Sequence, residues 1–177
     1  MIYFLTILAF VVDRLSKWWM TSYLAQHGPL QIHDLLVLRA TYNRGMVFGL
    51  LQGTAPWMGW FSVLVIGALV FYLIRLPEGA GLMRAGLAIV VGGALGNLVD
   101  RLLVGQVLDF ITSPLVPWVF NFADIFINGG MVIFAVGLLL YRPHEEPPKE
   151  HEEPPKEYVG DEHAPQQSPA PDDAAEP

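Results

Sequence analysis

GGALGNLVDRLLVGQVLDFITSPLVPWVFNFAD, residues 92–124, is the stretch that decides the fold of this chain. This largely apolar stretch carries Asn97, Asp100, Arg101, Asp109, Asn121 and Asp124. An ionisable side chain inside a membrane costs roughly 2.5–3.5 kcal/mol on insertion scales. A chain that carries several of them near a membrane is therefore expected to use them. We predict that Asp109 and Asp124 form a two-carboxylate site.

The composition divides the chain into an apolar part and an acidic tail. Residues 143–177 hold 11 carboxylates and 2 lysines, a net charge of −9, so residues 1–142 carry +2 of the total of −7. The tail is rich in Pro and Glu and repeats HEEPPKE twice in tandem, from residue 144 to residue 157. Such a segment has too little apolar surface to fold. We predict a disordered tail over 143–177, with solvated histidines rather than metal ligands.

Four apolar segments predict an all-α membrane protein in which four transmembrane helices form one domain over residues 1–142. An apolar helix of about 20 residues can cross ~30 Å of hydrocarbon at 1.5 Å per residue. The helices are expected over about residues 1–23, 56–76, 82–103 and 119–141. The linking residues 24–55 are more polar, and they predict an outer loop with one or two short strands.

Several polar residues have spacings that place them together. Asp13 and Lys17 are four residues apart in the first helix, so they either neutralise each other or brace or line the polar site. Asn97 and Arg101 repeat this spacing near the end of the third helix. Asp109 follows in residues 104–117, where one glycine and two prolines predict a loop.

The first turns of the fourth helix carry Asn121 and Asp124 on one i,i+3 face. A carboxylate near a helix N-terminus is also favoured by the helix dipole alone, which is the structural alternative for Asp124. Arg75, Arg84 and Arg142 follow or flank the opposite helix ends, which predicts that both termini are cytoplasmic and that the aspartates face outward.

The residues present limit the chemistry. The sequence has no cysteine, no G-x-S-x-G and no H-E-x-x-H, which argues against cysteine, serine–histidine and zinc hydrolases. Two carboxylates remain. Close to each other they cannot both ionise, so they share one proton, and one can activate water while the other polarises a carbonyl.

Five short motifs in order resemble those of the lipoprotein signal peptidases (signal peptidase II), four-helix aspartyl proteases of bacterial membranes. The resemblance covers essentially residues 1–142. The motifs are Asp13-Arg14-Leu15-Ser16-Lys17, Asn43-Arg44-Gly45-Met46-Val47-Phe48, Gly96-Asn97-Leu98-Val99-Asp100-Arg101, Val107-Leu108-Asp109-Phe110 and Phe120-Asn121-Phe122-Ala123-Asp124. Within the second motif, Met46 and Val47 occupy the positions where small residues usually follow N-x-G.

The resemblance implies an enzyme that cuts a prolipoprotein before its diacylglyceryl-modified cysteine. It implies no metal or organic cofactor and inhibition by globomycin-type peptides. We further expect membrane lipids but no nucleic acid as partners, a monomer, and a place in the bacterial cytoplasmic membrane with the site on its outer side. The implied roles are catalysis for Asp109 and Asp124, positioning of substrate and pair for Asn97, Arg101 and Asn121, a cover over the site for Asn43 and Gly45, and support for Asp13 and Lys17.

Two other classes of function remain open from the residues alone. An ion- or proton-coupled transporter would also carry intramembrane charges, although it predicts polar residues at intervals through the bilayer. If the chain is a non-catalytic membrane scaffold whose function lies in the tail, Asp109 and Asp124 are expected to be individually dispensable.

Overall fold

The computed structural model describes residues 1–44 and 55–142. The predictions for Gly45 and for the tail over 143–177 lie outside the described residues. The elements are, in chain order, α1 (Ile2–His27), β1 (Leu30–His33), β2 (Leu36–Asn43), α2 (Ala55–Arg75), α3 (Gly81–Leu103), β3 (Val107–Thr112) and α4 (Phe122–Leu140).

Each predicted helical segment corresponds to one of these helices. Two of them, α3 and α4, are long and apolar enough to cross a membrane by length and composition, and α2 contributes a shorter apolar stretch, Gly59–Arg75. The middle of α1 instead carries three charged residues, Asp13, Arg14 and Lys17. The structure therefore combines apolar helices with one helix whose interior is charged.

The central helix is α3, which packs against each of the other three helices. Glycines allow its closest approach to α4. A Cβ on Gly86 would lie 2.5 Å from the Phe134 backbone nitrogen, and one on Gly130 would lie 2.7 Å from the Gly86 carbonyl oxygen. Only glycine lets two helix backbones approach so closely, which is how membrane helices gain packing energy. Gly93 repeats this close approach nearer the polar end of α3, where an added Cβ would lie 2.7 Å from the Ala123 carbonyl oxygen in the first turn of α4.

A three-stranded antiparallel sheet in the order β1-β2-β3 lies next to the helices. The strands over Leu30–His33 and Leu36–Asn43 fall in the predicted outer loop. The prediction of a loop over 104–117 is wrong in part, because Val107–Thr112 is a strand that pairs Asp109 with Thr41. The physical reason is that this strand is formed by pairing with β2, which is distant in the sequence. Its own six residues show no periodic pattern that would predict a strand.

The chain returns from β3 to the sheet just before α4. Phe120 forms an isolated bridge with Ile111, and its carbonyl oxygen accepts hydrogen bonds from the Phe110 and Ile111 backbone nitrogens at 3.0 and 2.8 Å. The next residue, Asn121, is thereby placed beside the middle of β3.

Candidate active site

Asp109 lies in the middle of β3 and is 4% exposed. Antiparallel pairing brings β2 alongside, with Thr41 opposite Asp109 and Asn43 opposite Val107. The Asn43 side chain reaches diagonally across, and its Nδ2 donates to Asp109 Oδ2 at 3.1 Å. The strand pairing therefore both buries this carboxylate and supplies it with a donor.

Asp124 lies in the first turn of α4, within a capping box. Asn121 is the N-cap residue, and its Oδ1 accepts from the Asp124 backbone nitrogen at 3.1 Å. In return, Asp124 Oδ2 accepts from the Asn121 backbone nitrogen, also at 3.1 Å. These bonds satisfy helix-end donors that would otherwise lack partners. The prediction that α4 starts near residue 119 was early by three residues, because Asn121 ends the extended segment.

The Asn121 side chain is fully buried and connects the two aspartates. Its Nδ2 donates to Asp109 Oδ1 at 2.6 Å, while its Oδ1 is held by the Asp124 backbone N–H. A backbone N–H can only donate, so it fixes which end of the amide faces Asp124. The Nδ2 group must then point toward Asp109.

The orientation of the Asn97 amide on α3 is likewise fixed by a partner that can only donate. Its Oδ1 accepts from Lys17 Nζ at 2.9 Å, and its Nδ2 donates to Asp124 Oδ1 at 3.0 Å. An ammonium group has no acceptor, so Lys17 determines that the Asn97 amide presents N–H to Asp124. Both oxygens of Asp124 thus receive a nitrogen donor.

A buried ionic cluster lies behind Asn97. Lys17 Nζ is 2.8 Å from Asp13 Oδ2 and 2.9 Å from Asp100 Oδ2, and Arg14 pairs with the other oxygen of Asp100. Asp13 Oδ1 also accepts from the Ala123 backbone nitrogen at 2.9 Å, which ties α1 to the start of α4. The i,i+4 pair predicted for α1 is therefore an ion pair that also bridges to two other helices.

Burial alters the acidity of Asp109. Removal from water, and then the nearby charge of Asp124, raise the pKa of Asp109 from 3.8 to about 6. The hydrogen bonds from Asn43 and Asn121 act in the opposite direction but do not cancel this rise. An aspartate in such a setting keeps a proton at a pH where an ordinary one has lost it.

A cavity of about 680 Å³ opens onto both aspartates. Arg101, which is half-buried, joins Asn43, Asn97, Asp109 and Asp124 at its polar end. The remaining walls are mainly apolar and comprise Val107, Val116, Trp118, Val119, Phe120, Ile125, Asn128 and Gly129. In residues 1–44 and 55–142, no group of three or more acidic or histidine side chains is placed to hold a metal ion.

Sequence reasoning did not single out Trp118 or Asn128 as lining residues. Trp118 follows a proline in the loop between β3 and α4, where spacing carries no information about the cavity. Asn128 offered a signal, because it is a polar residue inside an apolar helix and follows Asp124 by four positions.

Comparison with known proteins identifies the family of this chain. The model of the family described as "Signal peptidase (SPase) II" matches residues 5–140. Among relatives, the lipoprotein signal peptidase of Pseudomonas aeruginosa is 37% identical over 146 residues, covering 76% of this chain and 85% of that protein. That of Hydrogenovibrio crunogenus is 34% identical over 149 residues, covering 80% of this chain and 87% of that protein.

The fold is also found in solved structures. One bacterial membrane enzyme determined by the in meso method superposes with a TM-score of 0.69 at 22% identity, over 82% of this chain and 93% of the other. A second superposes with a TM-score of 0.68 at 23% identity, over 80% and 94%. At these identities the likeness shows the fold alone. With the match of the family model over residues 5–140, we conclude that this chain belongs to the signal peptidase II family.

Proposed function

We propose that this chain is an aspartic endopeptidase of the membrane that removes signal peptides from diacylglyceryl-modified prolipoproteins, cutting before the lipidated cysteine. The observation that carries the proposal is the joint placement of Asp109 and Asp124 at the polar end of one cavity. One carboxylate comes from a strand and the other from a helix start, and the buried amide of Asn121 contacts both residues.

The two aspartates differ in their surroundings, which suggests a division of roles. Asp124 is half-buried, receives nitrogen donors on both oxygens and lies at a helix N-terminus. Donors and the helix dipole stabilise an ionised carboxylate. Asp109 is more deeply buried, and its pKa is raised to about 6. We assign the base to Asp124 and the shared proton to Asp109.

The reaction then needs only water and the two carboxylates. Asp124 accepts a proton from a water molecule while the oxygen of that water attacks the scissile carbonyl carbon. The proton on Asp109 hydrogen-bonds to the carbonyl oxygen, which becomes a hydroxyl in the tetrahedral intermediate. The proton on Asp124 next passes to the amide nitrogen, the C–N bond breaks, and the intermediate's hydroxyl returns its proton to Asp109. Each carboxylate ends in its starting state, as general acid–base catalysis requires.

The surroundings of the site fit a substrate that is held at a membrane surface. Trp18, Trp19 and Trp118 are exposed by 71%, 59% and 46%. The first two lie one turn or less from Lys17, and Trp118 lines the cavity. Tryptophan is enriched at the boundary between hydrocarbon and water, so these residues favour a site at that depth. The apolar walls of the cavity would then be available to acyl chains.

The wider setting is part of the same proposal. All four helices cross the bacterial cytoplasmic membrane, with both termini in the cytoplasm and the aspartates toward the outer side. The enzyme acts as a monomer among membrane lipids and needs no metal. Globomycin-type cyclic peptides compete with the prolipoprotein for the cavity.

Cleavage of a defined precursor tests the proposed activity. The full chain in lipid vesicles would be given one prolipoprotein in two forms, with and without the diacylglyceryl group, and the products would be identified by mass spectrometry. We expect a single cut before the cysteine in the lipidated form, blocked by globomycin and unaffected by a metal chelator. Absence of cleavage, or equal cleavage of both forms, would refute it.

A further inference from the structure

Asn128 is a polar residue on the apolar stretch of α4 that the reaction described above does not use. It follows Asp124 by four positions, so it lies on the same helix face one turn further from the N-terminus. Its side chain is exposed and lines the cavity next to Gly129, where an added Cβ would meet nothing within 4 Å. The cavity therefore has room beside this amide for another chain.

The orientation of the Asn128 amide is fixed by its own helix. Its Nδ2 donates to the Asp124 backbone carbonyl oxygen at 2.8 Å. A carbonyl can only accept, so the Oδ1 end must face away from it. Among the described residues no donor reaches this oxygen. Asn128 therefore presents a hydrogen-bond acceptor to the cavity.

An apolar cavity needs such an acceptor if a peptide enters it, because peptide N–H groups without partners are costly away from water. Four residues along α4 correspond to ~6 Å. An extended peptide advances ~3.3 Å per residue, so this is the span of about two residues. The signal peptide enters from the membrane side, which is the direction from Asp124 toward Asn128.

We infer that Asn128 is a substrate-positioning residue whose Oδ1 accepts the peptide N–H about two residues before the cleaved bond. The inference rests on the proposed function and adds a binding subsite to it. The subsite recognises main chain, so it accepts many signal-peptide sequences while fixing the register of the peptide against the two aspartates.

The test combines an enzyme variant with a substrate variant. Asn128→Leu removes the acceptor from an otherwise apolar helix surface and is not expected to impair folding. A lipidated synthetic precursor with an ester in place of the amide at the second N–H before the cut removes the donor. Met131→Leu, on the exposed surface of α4 outside the cavity, serves as the matched control.

With the parent enzyme, the ester precursor should raise KM about three- to tenfold, the effect of one net hydrogen bond. Asn128→Leu should raise KM for the amide precursor by a similar factor, with kcat and the pH profile within about twofold of the parent. The two changes together should cost no more than one of them. Met131→Leu should match the parent.

Two results would overturn the inference while leaving the proposed activity intact. One is an unchanged KM for Asn128→Leu. The other is an ester penalty that is as large in Asn128→Leu as in the parent, which would show that the two groups do not meet. Failure of the parent to cut the amide precursor would instead refute the proposed function, and the subsite with it.

Discussion

Asn121 Nδ2 lies 2.6 Å from Asp109 Oδ1 while the Oδ1 of the same side chain accepts from the Asp124 backbone nitrogen at 3.1 Å. One buried amide thus sets the relative position of the two carboxylates. Its two ends cannot be exchanged, because the end toward Asp124 faces an obligatory donor.

The substitution Asn121→Ser separates the two tasks of this residue. Serine remains a good N-cap for α4, so the helix end should stay intact. Its hydroxyl cannot also span to Asp109, so that carboxylate loses a donor. We expect kcat to fall by at least about a hundredfold, the usual cost of misplaced catalytic groups, with only a small change in melting temperature. A loss of activity explained by a large drop in melting temperature would contradict this reading.

The pH dependence of kcat/KM follows from the raised pKa of Asp109, about 6. In the proposed reaction Asp109 holds a proton that polarises the substrate carbonyl, so kcat/KM should fall about tenfold per pH unit above that value. Bound substrate removes more water and favours the protonated form, so the alkaline limb of kcat should lie at higher pH. The measurement is initial cleavage rate from pH 4 to 9. A profile that is flat from pH 6 to 9 would exclude Asp109 as the acid.

The same pKa makes Asp109 a destabilising group when ionised. Below the unfolded value of 3.8 the residue is protonated in both states, and the cost of burying its charge grows as pH rises from 3.8 to about 6. That rise corresponds to ~3 kcal/mol at neutral pH. Asp109→Asn removes the charge but leaves one donor without an acceptor, so we expect a net gain of about 1–2 kcal/mol.

The gain in stability of Asp109→Asn should appear only at pH values above the range in which Asp109 titrates. Near pH 4 Asp109→Asn should melt below the parent, because only the donor without an acceptor then distinguishes the two proteins, and toward pH 7 it should melt above the parent. Asp34→Asn, at an exposed aspartate in the turn between β1 and β2, is the control for loss of a carboxylate elsewhere in the chain. A stability difference between Asp109→Asn and the parent that does not change from pH 4 to pH 7 would show that the ionised carboxylate is well solvated.

Lys17 should be among the most sensitive positions for stability. It is 3% exposed and pairs with Asp13 and Asp100, which are also buried. Lys17→Met would leave Asp13 without its counter-ion and Asp100 with Arg14 alone, and breaking a buried ion pair from one side costs about 3–5 kcal/mol. The readout is thermal unfolding in detergent. Arg39→Met, at an exposed position on β2, should stay within about 0.5 kcal/mol of the parent.

Much of the helical framework could be predicted from the sequence, because apolar length and i,i+4 spacing are local signals. The pairing of Asp13 with Lys17 is an example, since both residues lie on one face of one helix. Strand β3 could not be predicted in the same way. Asp109 is held there by its pairing with Thr41, a partner 68 positions away. Because the six residues of the strand lie between a glycine and a proline, the sequence predicted a loop.

The arrangement of the site could likewise be predicted only in part, because some of its contacts are between residues far apart in the sequence. Spacing placed Asn121 and Asp124 together, and the Asn-x-x-Asp pattern carries a capping signature. The convergence of Asn121 on Asp109 depends on the bridge between Phe120 and Ile111, which no local pattern contains. The contact of Asp13 with the Ala123 backbone joins the first helix to the last and is likewise invisible in the sequence.

The central claim is that Asp109 and Asp124 together cut the peptide bond, and separate substitutions test it most directly. Asp109→Asn, Asp124→Asn and the control Asp34→Asn would be purified in lipid and given a lipidated precursor, with cleavage followed by gel shift. We predict no detectable cleavage by either site variant, full cleavage by the control, and cooperative thermal unfolding of all three. Cleavage near the parent rate by Asp109→Asn or Asp124→Asn would contradict the two-aspartate mechanism.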